Sequence, residues 1–180
     1  MRISQAQNAI KIGEFVLRER GPNLIKVKYL PDLGNLLNDD SGRVYIFAED
    51  GIIKKIGGSQ QAGGIKATLS FYENALQGSP GRPRFILHHL IANSLREGHR
   101  VEIYMITSPK ITATVKGLFS IRQMKIASFK EMENLCKKEY FDQENKYPDW
   151  NFQENRKDYP RELEEKYQRY HGKRIARRSR

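Results

Sequence analysis

Tyr45, Lys55 and Glu133 are the side chains of this sequence whose types and spacing suit hydrolysis of a phosphodiester. That reaction needs a positioned water, a group to accept its proton, positive charge against the transferring phosphorus and help for the leaving oxygen. Tyr45 can orient or deprotonate the water, although a phenol with a pKa near 10 acts as a base at neutral pH only beside positive charge. Lys55 can supply that charge, because both residues fall in RVYIFAEDGIIKKIGGS, residues 43–59, on two apolar runs separated by a tight turn. Glu133 stands at the edge of an apolar helical stripe, where a lone carboxylate calls for a cation or a partner. With waters and substrate oxygens completing the shell, one carboxylate suits Mg²⁺ or Mn²⁺ rather than zinc. Each residue also has a plainer reading: Tyr45 as a half-buried strand aromatic, Lys55 as a solvent-facing lysine, Glu133 as an ordinary helix glutamate. Glu131 competes with Glu133, yet Ser128-x-x-Glu131 reads as a capping box whose glutamate satisfies a backbone donor.

The elements that must position these groups follow from pattern. Val44–Ala48 and Ile52–Ile56 flank Glu49-Asp50-Gly51, and Asp-Gly between β-branched and aromatic runs is a hairpin signal. A helix opens at Gly64 with Ile65, Leu69, Tyr72 and Leu76 on one stripe. After the turn-rich residues 78–83, a second helix spans Arg84–Glu97, Val101–Ile106 forms a third strand, and residues 111–127 alternate in a way that adds strand pairing. The helix opening at Ser128 carries Phe129, Met132, Cys136 and Tyr140 as its apolar stripe. Near the N-terminus, Ser4 as N-cap with Ala9, Ile10, Ile12, Phe15 and Val16 predicts a helix, followed by a strand over residues 24–30. His88 and His89 have no carboxylate at metal spacing and receive no role. Gly57, Gly58 and Ser59 let a DNA backbone approach closely, and the absence of a following Gly-Lys-Ser or Gly-Lys-Thr excludes a nucleotide P-loop.

The order Tyr-Ile, turn, Lys-Ile-Gly-Gly-Ser resembles the signature of the GIY-YIG nuclease superfamily. Val44-Tyr45 stands for its first half and Lys55-Ile56-Gly57 for its second, with lysine at position 55 where most members carry tyrosine. The glycine-initiated helix after Gly64 matches the family's active-site helix. Glu133 and the run Pro148-Asp149-Trp150-Asn151 are similar to its glutamate and Pro-x-x-Asn closure. The resemblance covers residues 45–151 and implies a divalent-metal-dependent DNA endonuclease with Tyr45 as general base, Glu133 on Mg²⁺ (or Mn²⁺) and Tyr72 near the scissile phosphate. Members carry an arginine on the first helix; here Lys66 and Arg84 jointly replace it, with Arg82 beside the DNA. Lacking a separate DNA-binding module, the chain looks most like the GIY-YIG-type restriction endonucleases, which act as homodimers on short palindromic sites. Two other readings stay open: a phage or mobile-element nuclease of low specificity, and a catalytically silent nucleic-acid-binding protein.

The 180 residues are enough for one domain with a sizeable core. The expected architecture is α/β (α+β): a small three-stranded mixed or antiparallel sheet flanked by helices. Residues 1–40 form an N-terminal arm, 41–145 the nuclease core, and 146–180 a basic aromatic extension of helical or irregular form. Thirty-two basic against 21 acidic residues give a net charge of +11, which argues for a polyanionic partner, here double-stranded DNA. In the tail, Lys173, Arg174, Arg177 and Arg178 can track a DNA backbone, and Asn151 is expected beside it. No apolar run reaches the roughly 20 residues of a bilayer crossing. No signal peptide is evident, and the single Cys136 excludes an internal disulfide framework. A cytoplasmic location is therefore expected.

Overall fold

The computed structural model describes the chain except residues 40, 79, 108–110, 127–128 and 179–180, and describes only the backbone at 111, 124–126 and 173–178. The first long element is a strand, β1 (Ile10–Leu17), where a helix was expected; the one helical turn before it is a 3₁₀ segment, Ile3–Gln5. The reason is a bulge. Lys11 pairs with Tyr104 and Gly13 with Ile103, so Ile12 is inserted into the ladder. The insertion turns Ile12 and Phe15 to the same core, and their three-residue spacing imitates a helix. Strand β2 (Ile25–Tyr29) pairs with β1 and follows the expected span.

Strands β3 (Arg43–Glu49) and β4 (Ile52–Ser59) form the hairpin that the Asp-Gly signal predicts. Asp50 and Gly51 both have positive φ, 46° and 80°, the requirement of a tight turn matched to strand twist. Helices α1 (Gly64–Glu73) and α2 (Arg82–Arg96) and strand β5 (Val101–Thr107) come next. A separate ribbon, β6 (Ile111–Lys116) with β7 (Ile121–Ile126), precedes α3 (Phe129–Glu144) and α4 (Arg161–Arg178). The main sheet has five antiparallel strands in the order β2-β1-β5-β3-β4 rather than three. Residues 1–40, expected as an arm, thus supply two strands of the same sheet.

Two layers of side chains hold the sheet. On one face Phe15, Tyr45 and Phe47 pack against Ile65, Leu69 and Tyr72 of α1 and Leu87 and Ile91 of α2. On the other, Val44, Ile46, Ile53 and Ile56 pack with Met132, Cys136 and Tyr140 of α3. Strand β3 lies between the two layers and is buried almost throughout, which is why it reads as a continuous apolar run. Helix α4 is clamped outside α2 by Leu163, Tyr167 and Tyr170 around Phe85 and Ile86. Among the described residues no helix is long and apolar enough to cross a membrane.

His88 is buried as a neutral ring: it accepts the Leu24 N–H at Nε2, 3.0 Å, and its Nδ1 lies 2.6 Å from the Tyr72 carbonyl. Burial also pushes its neighbour His89 down to about 4, with Lys166 adding repulsion. In the unfolded chain a histidine keeps its ordinary value of about 6.5. Between those two values the unfolded state binds more protons, so stability is present above the window and falls as pH falls through it. Thermal unfolding followed from about pH 7 to about pH 5 should show a falling Tm in wild type and a flatter profile in His89→Leu, because carboxylates titrate mostly below that range. Equal slopes in the two proteins would place the acid sensitivity elsewhere.

Candidate active site

The site forms where the β3–β4 hairpin meets α1, α2 and α3. Tyr45 faces Gly57 across the hairpin. A Cβ at position 57 would lie 2.5 Å from the Tyr45 ring and hydroxyl, so glycine there is what lets the ring lie across β4. The Tyr45 hydroxyl is 2.7 Å from the Tyr72 hydroxyl of α1, and the His88 contact to the Tyr72 carbonyl fixes the turn that carries it. Burial, and then the neighbouring Tyr72, push the Tyr45 phenol well above its ordinary range. Burial likewise raises Tyr72. Both hydroxyls are protonated at neutral pH in the free protein, which makes them hydrogen-bond directors before either is a base.

Positive charge comes from Arg84 in the first turn of α2. Its guanidinium sits 4.1 Å from the Phe71 ring centroid, and its field opposes the rise of both phenols. Lys66, expected to share this duty, instead points to the ring of Tyr29, 5.8 Å away. Tyr29 belongs to β2, at the opposite sheet edge from β4. Of the pair, Arg84 is the one whose charge bears on both tyrosines. Lys55 pairs with Phe47, one step from the Tyr45–Gly57 pair on the same face. Burial pushes its ammonium below the ordinary lysine value, and Lys137 adds to that while Glu154 and Glu133 oppose it.

Glu133 is buried and lies against Gly58, where a Cβ would come within 2.8 Å of Oε2. Burial raises its carboxyl, but hydrogen bonds from Lys137 and Lys130 outweigh it and hold the group below the usual carboxylate range. Lys137, itself buried, bridges Glu133 and Glu154, and the exposed Lys130 reaches Oε2 at 3.2 Å. Sequence reading missed Lys137 and Glu154. The i,i+4 spacing of Glu133 and Lys137 was a usable signal for the first; nothing local marks Glu154. Glu131 is exposed in the first turn of α3, and Ser128 of the expected capping box lies outside the described residues.

No group of three or more His, Cys, Asp or Glu side chains able to hold a metal occurs among the described residues. Glu133 is the carboxylate at this site that could hold a cation. The fit is good in two respects: Gly58 leaves the carboxylate room, and a hard oxygen donor accepts Mg²⁺ or Mn²⁺ with waters and phosphate oxygens completing the shell. Lys130, 60% exposed, is the partner that would have to release Oε2 to a cation.

The expected DNA contacts divide. Gly57 lies under the Tyr45 ring and Gly58 against the Glu133 carboxylate. The Ser59 hydroxyl is engaged, 2.7 Å from Thr68 and accepting from Gln61 N–H. Asn151 is a correction: it is fully buried, with its amide oxygen and nitrogen on the Ile56 N–H and carbonyl, so it closes the β4 edge rather than meeting DNA. Arg82 pairs with Glu164 at 3.5 Å and lies over Tyr167, tying α2 to α4. Lys173, Arg174, Arg177 and Arg178 belong to the last turns of α4, and their side chains lie outside the described set. Arg43, unforeseen, is buried and donates to the carbonyls of Asp39, Ser41 and Gln61, pinning the approach to the hairpin.

No family model matches the sequence, and no curated protein matches it. Among solved structures the chain is similar to a mutant of bacteriophage T4 EndoII, with a TM-score of 0.52 and 20% identity over 83% of this chain and 95% of that one. It also aligns with the restriction endonuclease HPY188I in complex with product DNA, at a TM-score of 0.46 and 20% identity over 81% of each chain. The likeness to EndoII establishes a shared fold.

Proposed function

We propose that the protein is a divalent-metal-dependent DNA endonuclease of the GIY-YIG type. The observation that carries this reading is the Tyr45–Tyr72 hydroxyl pair seated on Gly57, with Arg84 and Glu133 charging it from either side. EndoII shares the fold, and HPY188I, whose structure holds product DNA, is a restriction endonuclease.

This reading assigns each residue a role. Glu133 anchors the cation, which when bound neutralises phosphate charge and lowers the pKa of a bound water. Tyr45 orients the attacking water, and its proton can leave only as positive charge gathers around the phenol, which Arg84 begins to supply. Tyr72 holds the Tyr45 hydroxyl in position from behind. Arg84 faces the phosphate with a fork that lysine lacks. Lys55, partly desolvated, adds charge on the leaving side. The chain acts as a homodimer on a short site in double-stranded DNA, in the manner of restriction enzymes. Incubating the protein with plasmid in the presence and absence of Mg²⁺ and sequencing the ends tests this. Ends sharing one sequence support the reading, random ends reduce it to a nuclease of low specificity, and intact plasmid under both conditions removes the enzyme reading.

The basic end of α4 has its own test. Truncation after Tyr170 keeps the aromatic clamp on α2 and removes Lys173, Arg174, Arg177, Arg178 and Arg180. If two to four of these touch phosphate, affinity at moderate salt drops by about one to two orders of magnitude and the log–log salt slope flattens by roughly two to four units. The cleavage position stays the same, because backbone contacts position without specifying. An unchanged slope would place the footprint elsewhere.

A further inference from the structure

We propose that the β6–β7 ribbon deforms DNA, its strands lying along a groove while the tip drives Leu118 and Phe119 between base pairs. The proposal rests on the nuclease reading above. The ribbon pairs with no strand of the main sheet, and no described residue from Thr112 to Gln123 is buried. The Gly117 N–H donates to the Ser120 carbonyl at 2.7 Å, closing a turn whose outermost residues are Leu118 and Phe119, 94% and 99% exposed. Such turn positions normally go to Gly, Asn, Asp or Pro. Two large apolar side chains there contradict local turn chemistry and gain no packing in the free protein, and breaks of this kind mark functional sites.

Charge names the partner. From Ile103 to Lys130 the sequence carries Lys110, Lys116, Arg122, Lys125 and Lys130 and no aspartate or glutamate. Lys116 and Arg122, both exposed, flank the turn on its two strands. A second protein chain is a poor occupant. Three exposed side chains, Leu118, Phe119 and Ile121, of at most about 200 Å² each cover less than the roughly 800 Å² per partner of a stable interface. DNA needs no such area, because phosphate contacts supply the affinity. A major groove about 12 Å wide admits a two-stranded ribbon, whose six residues at about 3.3 Å each run some 20 Å along it, and apolar wedges at a base step unstack and kink the duplex. A two-stranded ribbon alone is marginally stable in water, and the duplex supplies the surface it lacks.

The test uses duplexes carrying 2-aminopurine at successive positions, bound in EDTA so that no strand is cut. Wild type and the conservative Phe119→Met should raise the fluorescence severalfold at one or two adjacent positions. The double variant Leu118→Ser/Phe119→Ser should lose that rise while keeping its fold, its salt slope and its affinity within an order of magnitude. Binding without any rise in wild type, or an equal rise in the double variant, overturns the wedge and leaves the nuclease reading standing. A double variant that converts an oligomer to a monomer assigns the tip to self-association and likewise overturns it. A protein that binds no duplex at all overturns both.

Discussion

Tyr45→Phe should fold, bind DNA and cleave it at least about a hundredfold more slowly than wild type, the scale on which an acid–base or water-orienting hydroxyl acts. The substitution keeps the ring on Gly57, its tilted contact with Phe47 and its edge contact with Tyr72. What it removes is the oxygen 2.7 Å from the Tyr72 hydroxyl. Stranding that buried hydroxyl costs about 1–3 kcal/mol, so Tm should fall modestly while affinity for uncut duplex is unchanged. Tyr72→Phe is the informative companion. It leaves the Tyr45 oxygen in place but undirected, and its rate should fall less. Cleavage by Tyr45→Phe within a fewfold of wild type would remove Tyr45 from the reaction.

Glu133→Gln should abolish metal-stimulated cleavage, because the amide cannot anchor the cation by charge. The fold should tolerate it: Lys137 retains Glu154, and Gln can still accept from Lys137. Removing one partner of a buried ion pair that has no second partner costs about 3–5 kcal/mol, and the smaller Tm drop expected here reflects the bridge. Glu131→Gln, exposed in the first turn of α3, should cost about 1 kcal/mol or less and leave cleavage within a fewfold. Titrating Mg²⁺ into both variants separates the two carboxylates. A dead Glu131→Gln beside an active Glu133→Gln would exchange their roles.

The parts of the site that local sequence rules govern were legible in advance. The Asp-Gly turn placed Tyr45 and Lys55 on paired strands, and the stripe from Ile65 to Tyr72 placed Tyr72 on the inner face of α1. The misreadings came where tertiary structure overrode local pattern. The bulge at Ile12 gave β1 a helical spacing, and with it the sheet lost two strands. The joint assignment of Lys66 and Arg84 needed both helix ends to face β4, and Lys66 instead lies over the Tyr29 ring of β2. Glu154 reaches Lys137 from a segment whose path the sequence does not indicate. Asn151, expected against DNA from its motif, has its polar groups used by the Ile56 backbone.

That use of Asn151 bears on assembly. An outer strand presents a row of unpaired backbone groups that can recruit another chain by strand addition. Along β4 this row is already taken by residues from both ends of the same chain. Ile3 N–H donates to Gly51, Ile53 N–H to the Met1 carbonyl, Trp150 N–H to Lys54, and Asn151 satisfies both groups of Ile56. A dimer built by joining two sheets across residues 51–56 is therefore sterically and chemically closed to this protein. The alternation that turns the backbone N–H and C=O of Ile56 toward the sheet edge does the same for Gly58. Gly58 lies beyond the stretch that these segments cover, and what lies against it is the Glu133 carboxylate, not another strand.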